Sequence, residues 1–124
     1  MEQGNPAGTA DCRPVNEALA RVGDKWTILI VMQLETGPKR FSVLRRTIPG
    51  ISQKMLALTL RGLERDGFVT RTVYATKPPS VDYALADLGR EMVLPVRALG
   101  AWVIENLHRI ESARSSFDSL HAAA

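Results

Sequence analysis

The 124-residue sequence holds one cysteine, Cys12, two histidines and only 6% aromatic residues. A single cysteine excludes an internal disulfide, and the chain reads as cytoplasmic. His108 and His121 both fall late in the chain, far from Cys12. There is no HExxH, no paired-cysteine metal spacing, no Ser/His/Asp set and no glycine-rich phosphate loop. Catalysis is therefore not expected, and no metal or cofactor is implied. Long apolar runs are missing too. The best candidate, residues 26–34, is broken by Thr27 and Gln33 and falls well short of the roughly 20 residues that cross a bilayer. The opening MEQGNPAGTADC has neither the basic start nor the apolar stretch of a signal peptide, so no membrane partner is expected.

What is present is a composition of 45% hydrophobic and 23% charged residues, ordinary for one globular domain of this length. The net charge of +3 says little, but its distribution says more. Residues 39–77 carry nine cations against Glu64 and Asp66, a net of +7 that leaves −4 for the remainder. A basic middle between neutral-to-acidic flanks fits a polyanion-binding surface. On charge alone, a solvated face with scattered arginines fits as well, so spacing has to decide.

Residues 1–11 lack periodicity and read as a flexible arm. Pro14 opens a helix with Val15, Ala18, Leu19 and Val22 at helical spacing. Asp24 can cap a second helix, residues 25–35, apolar on nearly every side and so expected at the centre of the domain. Gly37-Pro38 ends it. Residues 39–41 suit a short strand, and residues 42–47 a short amphipathic helix, before a Pro49-Gly50 turn. Ser52 is a good N-cap for a helix to about Asp66, stopped by Gly67. Residues 68–75 and 81–85 alternate and are β-branched or aromatic, with Lys77-Pro78-Pro79-Ser80 between them, which predicts a two-stranded hairpin. Asp87 can cap a last long helix to about Glu111, with residues 112–124 expected to form a flexible, frayed tail. The arrangement is α+β, mostly helical: two helices about a tight turn followed at once by a hairpin, as in a winged helix-turn-helix. On this reading residues 12–111 form the domain.

On a helical wheel of residues 51–66, Ser52, Met55, Leu56, Thr59, Leu60 and Leu63 gather on one side. Lys54, Ala57, Leu58, Arg61 and Arg65 gather on the other, with Gln53 at its edge. The second side suits a major groove: Gln pairs bidentately with adenine, Lys or Arg with guanine, and Ala or Leu touches a thymine methyl. Ser52, Gln53, Lys54, Ala57, Leu58 and Arg61 are the candidate base-reading residues. A surface helix charged for solubility would look similar, but gives no reason for Leu58 on the outward side. Lys39, Arg40, Arg45, Arg46, Arg65, Arg71 and Lys77 are the candidate backbone contacts, which fix register without reading sequence.

In the last helix Leu88, Met92, Val96, Leu99, Val103, Leu107 and Ile110 form one stripe, widened by Val93, Gly100 and Ile104. Pro95 is expected to kink it. The stripe exceeds what so short a chain easily covers, so Val15, Leu19, Val96, Leu99, Trp102, Val103, Leu107 and Ile110 are candidates for a two-fold homodimer interface. A dyad would place two reading helices about one turn of DNA apart, on a palindromic site. The competing possibility is a stripe folded onto its own core.

Several motifs occur together: Cys12-x-Pro14, Asp24-Lys25-Trp26, Arg40-Phe41-x-x-Leu44, Gly50-Ile51-Ser52-x-Lys54-x-Leu56, Leu60-x-x-Leu63-Glu64-x-Asp66-Gly67, Pro78-Pro79-x-Val81-x-Tyr83 and Trp102. On these the chain, over about residues 12–107, resembles the HxlR-type bacterial winged-helix regulators, relatives of the MarR regulators. The resemblance implies a dimeric repressor or activator with a recognition helix at residues 52–66, a wing at 68–85 and an interface from the terminal helices. Asp24 in place of the family's usual Gly, Ala86-Asp87 in place of a Thr-led cap and Leu58 in place of a polar residue are departures. The resemblance also makes Cys12 a candidate sensor of oxidants or electrophiles. A thiol at a helix N-terminus beside Arg13 has a physical route to reactivity, and with one cysteine per chain the product would be an intersubunit or mixed disulfide, or an adduct. An inert cysteine in a mobile arm is the alternative. A small-molecule inducer is compatible with the family, but no residue names one. The rival function is a winged helix used for protein contacts without DNA.

Overall fold

The computed structural model describes residues 11–122, so the expected arm lies outside the described residues except for Asp11. The chain divides into two compact units, one ending at Val93 and one beginning at Leu94. The first contains α1 (Arg13–Val22), α2 (Lys25–Leu34), β1 (Lys39–Arg40), α3 (Phe41–Thr47), α4 (Gln53–Arg65), β2 (Val69–Tyr74) and β3 (Ser80–Leu85). It also contains the start of α5 (Asp87–His121), whose remainder makes up the described part of the second unit.

Local chemistry sets most of these boundaries. Pro14 stands in the first turn of α1, where its missing N–H costs nothing. The Asp24 carboxylate caps α2 by accepting the Thr27 N–H at 3.4 Å. Gly67, at φ +85°, closes α4. Its N–H reaches the Glu64 carbonyl at 3.1 Å and the Phe68 N–H reaches that of Leu63 at 2.9 Å, the paired bonds of a Schellman motif. The turn between α3 and α4 passes through Gly50 at φ +78°, a conformation that Pro49 cannot take and that glycine adopts without strain.

The core of the first unit runs through Ile30, Val31, Leu34, Leu44, Ile48, Ile51, Leu56, Leu60, Leu63, Val69 and Leu85. As expected, α2 is central: it packs against α1, α3, α4 and β3 and contributes three of those residues. It is not buried all round, since Leu29 remains 36% exposed. The Thr27 hydroxyl lies in this interior with no hydrogen-bond partner among the described residues. Around the core lie Trp26, Phe41, Phe68, Tyr83, Met92 and Val93.

β2 and β3 form the expected antiparallel hairpin, in register from Val69 opposite Leu85 to Tyr74 opposite Ser80. β1 pairs with the far edge of β3, Lys39 opposite Tyr83, so the hairpin belongs to a three-stranded sheet of order β1-β3-β2. At Gly89 any added Cβ would collide with the Phe68 carbonyl, so this glycine lets the start of α5 close against the entry to β2.

The second unit is the remaining run of α5, which continues through Pro95 and on to His121. The expected end near Glu111 is therefore corrected: residues 112–121, read as a frayed tail, are helical. Small polar residues there suggested fraying. However, the segment has neither Gly nor Pro to stop a helix already nucleated upstream, and propagation costs less than initiation. His121 Nδ1 lies 2.9 Å from the Phe117 carbonyl, and its ring stacks on the Phe117 ring at 4.0 Å. Among the described residues no helix is long and apolar enough to cross a membrane.

Candidate nucleic-acid interface

α4 is built to show one side and bury the other. Leu56, Thr59, Leu60, Gly62 and Leu63 are buried, whereas Gln53, Lys54, Ala57, Leu58, Arg61 and Arg65 are exposed. Leu58, at 54% exposure, is presented to solvent beside the cations rather than tucked inward. Met55 differs from the wheel reading: it sits at the edge of the packed side and is 39% exposed. Ser52 caps the helix by accepting the Met55 N–H at 3.0 Å, which leaves its own hydroxyl proton available for another acceptor.

The surrounding cations fall into two groups. Arg46, Lys54, Arg61, Arg71 and Lys77 meet no carboxylate among the described residues. Such uncompensated charge on an exposed surface favours a polyanion. Arg45 is also exposed and sends Nη1 to Gln53 Oε1 at 3.5 Å, across a groove lined by Phe41, Ser42, Arg45, Arg46 and Gln53. Arg61 shares a shallow groove with Ala57, Glu64, Arg71 and Tyr83, so α4 and the hairpin present cations to one channel.

Three further expected backbone contacts have partners within the chain. Lys39 Nζ donates to Thr36 Oγ1 at 2.8 Å and to the Gly37 carbonyl at 3.3 Å, which turns its charge back onto the loop after α2. Arg40 lies 3.7 Å from Asp82 across the sheet, and Arg65 lies 3.5 Å from Asp66. Sequence spacing does not foresee the Arg40 partner, because Asp82 meets it only through the pairing of β1 with β3, whereas the Lys39 partners lie two and three residues away in the preceding loop.

The candidate interface residues divide similarly. Val15 and Leu19 on α1 are 60% and 59% exposed, and α1 buries no residue in the single chain. On α5, Leu99, Trp102, Val103 and Leu107 are exposed and Ile110 is partly so. Val96 differs, being only 7% exposed, and leaves a partner little to cover.

Cys12 is exposed at the N-cap position of α1. Its neighbour Arg13 does not present a bare charge to the thiol. Arg13 Nη2 and Nε bind the Asp11 carboxylate at 2.8 and 3.1 Å, which lowers the Asp11 pKa and raises that of Arg13. The expected help from Arg13 is thus compensated by a carboxylate on its other side. Asp11, two residues away, was the signal in the sequence for that pairing.

Among the described residues no group of His, Cys, Asp or Glu is arranged to hold a metal ion. Known proteins resemble the chain over α4 and the β2–β3 hairpin. The HxlR-like helix-turn-helix family matches residues 21–111. The HTH-type transcriptional regulator YtfH of Escherichia coli K12, itself uncharacterised, is 44% identical over 82% of this chain and 80% of its own length. The solved structure of YtfH from Salmonella typhimurium superimposes with a TM-score of 0.76 at 42% identity, covering 82% of this chain and 91% of that one. The redox regulator HypR in its reduced form gives 0.73 at 40% identity, covering 80% and 98%. The chain belongs to the HxlR-like helix-turn-helix family, whose members are DNA-binding transcription regulators and not enzymes.

Proposed function

We propose that the chain acts as a homodimer on a palindromic double-stranded DNA operator, with α4 in the major groove and the β2–β3 hairpin on the flanking backbone or minor groove. Gln53, Lys54, Ala57, Leu58 and Arg61, with Ser52 at the cap, are the base-reading set on this reading. Arg45, Arg46, Arg71 and Lys77 are the main phosphate contacts, and Lys39, Arg40 and Arg65 reach phosphates only by leaving their present partners. The carrying observation is the outward side of α4: Lys54 and Arg61, an amide edge, a small residue and an exposed leucine, with no carboxylate on either cation among the described residues.

One recognition helix covers only a few base pairs, so a dimer is needed for operator-length specificity. The exposed apolar residues of α1 and α5 support that assembly, since apolar surface left in water at Leu19, Trp102 and Leu107 is stabilised by covering it. HypR has been solved in reduced and oxidised forms, and Cys12 is exposed at a helix start, which together support a thiol switch in this chain. In that switch two Cys12 thiols give two electrons and two protons to an oxidant such as diamide and form an intersubunit disulfide.

Selection of bound fragments from genomic DNA, with and without diamide, tests the reading. A recurring inverted repeat recovered from the reduced protein, with altered recovery after oxidation, is the expected result. Recovery of random sequence under both conditions, with affinity indifferent to salt, would point instead to a protein-contact module.

A further inference from the structure

We propose that Arg21 is a positioning residue that locks the recognition helix to α1 and thereby sets which half-site spacing the protein accepts. The inference rests on the dimeric DNA-binding reading above and concerns how that reading head is held. Arg21 stands in the last turn of α1, and its Nε lies 3.0 Å from Asp66 Oδ2, the residue that ends α4, 45 positions further along the chain. Both side chains are about three-quarters shielded from solvent, which strengthens their attraction relative to a surface pair. Arg65 reaches the other carboxylate oxygen of Asp66 at 3.5 Å, so the two oxygens face two guanidinium groups.

Gly62 makes this approach possible. A Cβ built there would overlap the Arg21 guanidinium, so Arg21 lies directly on the backbone of α4 where any other residue would push it away. Gly62 is buried in the last turn of α4, where glycine is still costlier than alanine, and the seat for Arg21 is what that cost secures. A groove lined by Pro14, Ala18, Arg65, Phe68 and Leu88 runs between α1 and the end of α4, and Arg21 with Asp66 bridges it.

The consequence follows from where α1 points its other residues. Val15 and Leu19 are exposed and belong to the proposed dyad, so Arg21 joins the helix that meets the partner to the helix that meets the bases. The angle between dyad and recognition helix determines the separation of the two half-sites. A firm link rejects operators with the wrong separation, and a loose one tolerates them.

The test uses the inverted-repeat duplex recovered by selection, together with versions having one base pair inserted or removed at the centre. Wild type is expected to discriminate by at least about tenfold between the native and altered spacings, of the order of a mismatch penalty. Arg21→Ala and Gly62→Ala are each expected to reduce this ratio to about threefold or less. Gly62→Ala is the sharper probe, because it keeps both charges, and its gain in helix propensity offsets part of what the displaced bridge contributed to stability. Full spacing discrimination in both variants overturns the proposal while leaving the DNA-binding reading intact. A uniform loss of affinity at all spacings overturns it too, since that is the signature of a merely structural or phosphate role. If wild type itself binds no duplex selectively, the dimeric DNA-binding reading fails and the proposal falls with it.

Discussion

The Ser52 hydroxyl accepts the Met55 N–H at 3.0 Å, so the residue that starts α4 also sits where the proposed reading places its first base contacts. Ser52→Ala removes the cap and is expected to destabilise the fold by about 1 kcal/mol in urea denaturation. Ser52→Asp keeps an acceptor at that position and is expected to retain stability. It places a negative charge beside the groove, however, and should weaken DNA binding. Equal stability of the alanine and aspartate variants would show that the cap contributes nothing.

Base-reading and phosphate-binding residues separate by how their loss depends on sequence. Lys54→Ala and Arg61→Ala are expected to cost ~1–3 kcal/mol on the operator and to change the preferred base at one position. Arg46→Ala and Arg71→Ala are expected to weaken all duplexes alike and to reduce the slope of log affinity against log salt by about 1 each. Titrations on operator and scrambled duplexes at several salt concentrations distinguish the classes.

Thr27 is fully buried and its hydroxyl has no partner among the described residues. An unpaired buried hydroxyl costs about 1–3 kcal/mol, and valine fills nearly the same shape without it. Thr27→Val is therefore expected to raise the urea midpoint, with no effect on operator affinity. A lowered midpoint would mean that the hydroxyl is satisfied in solution, for example by an ordered water.

The apolar residues of the second unit give a prediction about assembly. Leu107→Glu replaces a side chain that is 43% exposed in the single chain, so it should be tolerated by the fold but not by an interface. Sedimentation is expected to show a wild-type dimer at micromolar concentration and a monomeric variant with unchanged helical circular dichroism. A wild-type monomer contradicts the dyad.

Much of the α3–α4 segment was legible because its limits are set by local chemistry. Ser52, the Pro49-Gly50 turn and Gly67 each act within a few residues, and the structure places α4 between them. The hairpin was legible for the same reason, through alternation and the proline-rich tip. Non-local features were hidden. The pairing of β1 with β3 and the Arg21–Asp66 bridge join residues whose separation carries no periodic signal. Val96 shared the stripe of its helix with Leu99 and Val103, yet it is buried and they are exposed. Periodicity gives the apolar side of a helix but not where along it the cover ends. The end of α5 was misplaced because Ser-rich composition suggests a tail, whereas only a breaker stops a long helix.

The most direct measurement is the ratio of affinities for operator and scrambled duplex at physiological salt, in wild type and in the Lys54→Ala, Arg61→Ala double variant. The expected ratio is at least about 10³ for wild type, falling towards unity in the variant while scrambled-duplex affinity drops only slightly. An unchanged ratio in the variant would contradict the assignment of sequence reading to the outward side of α4.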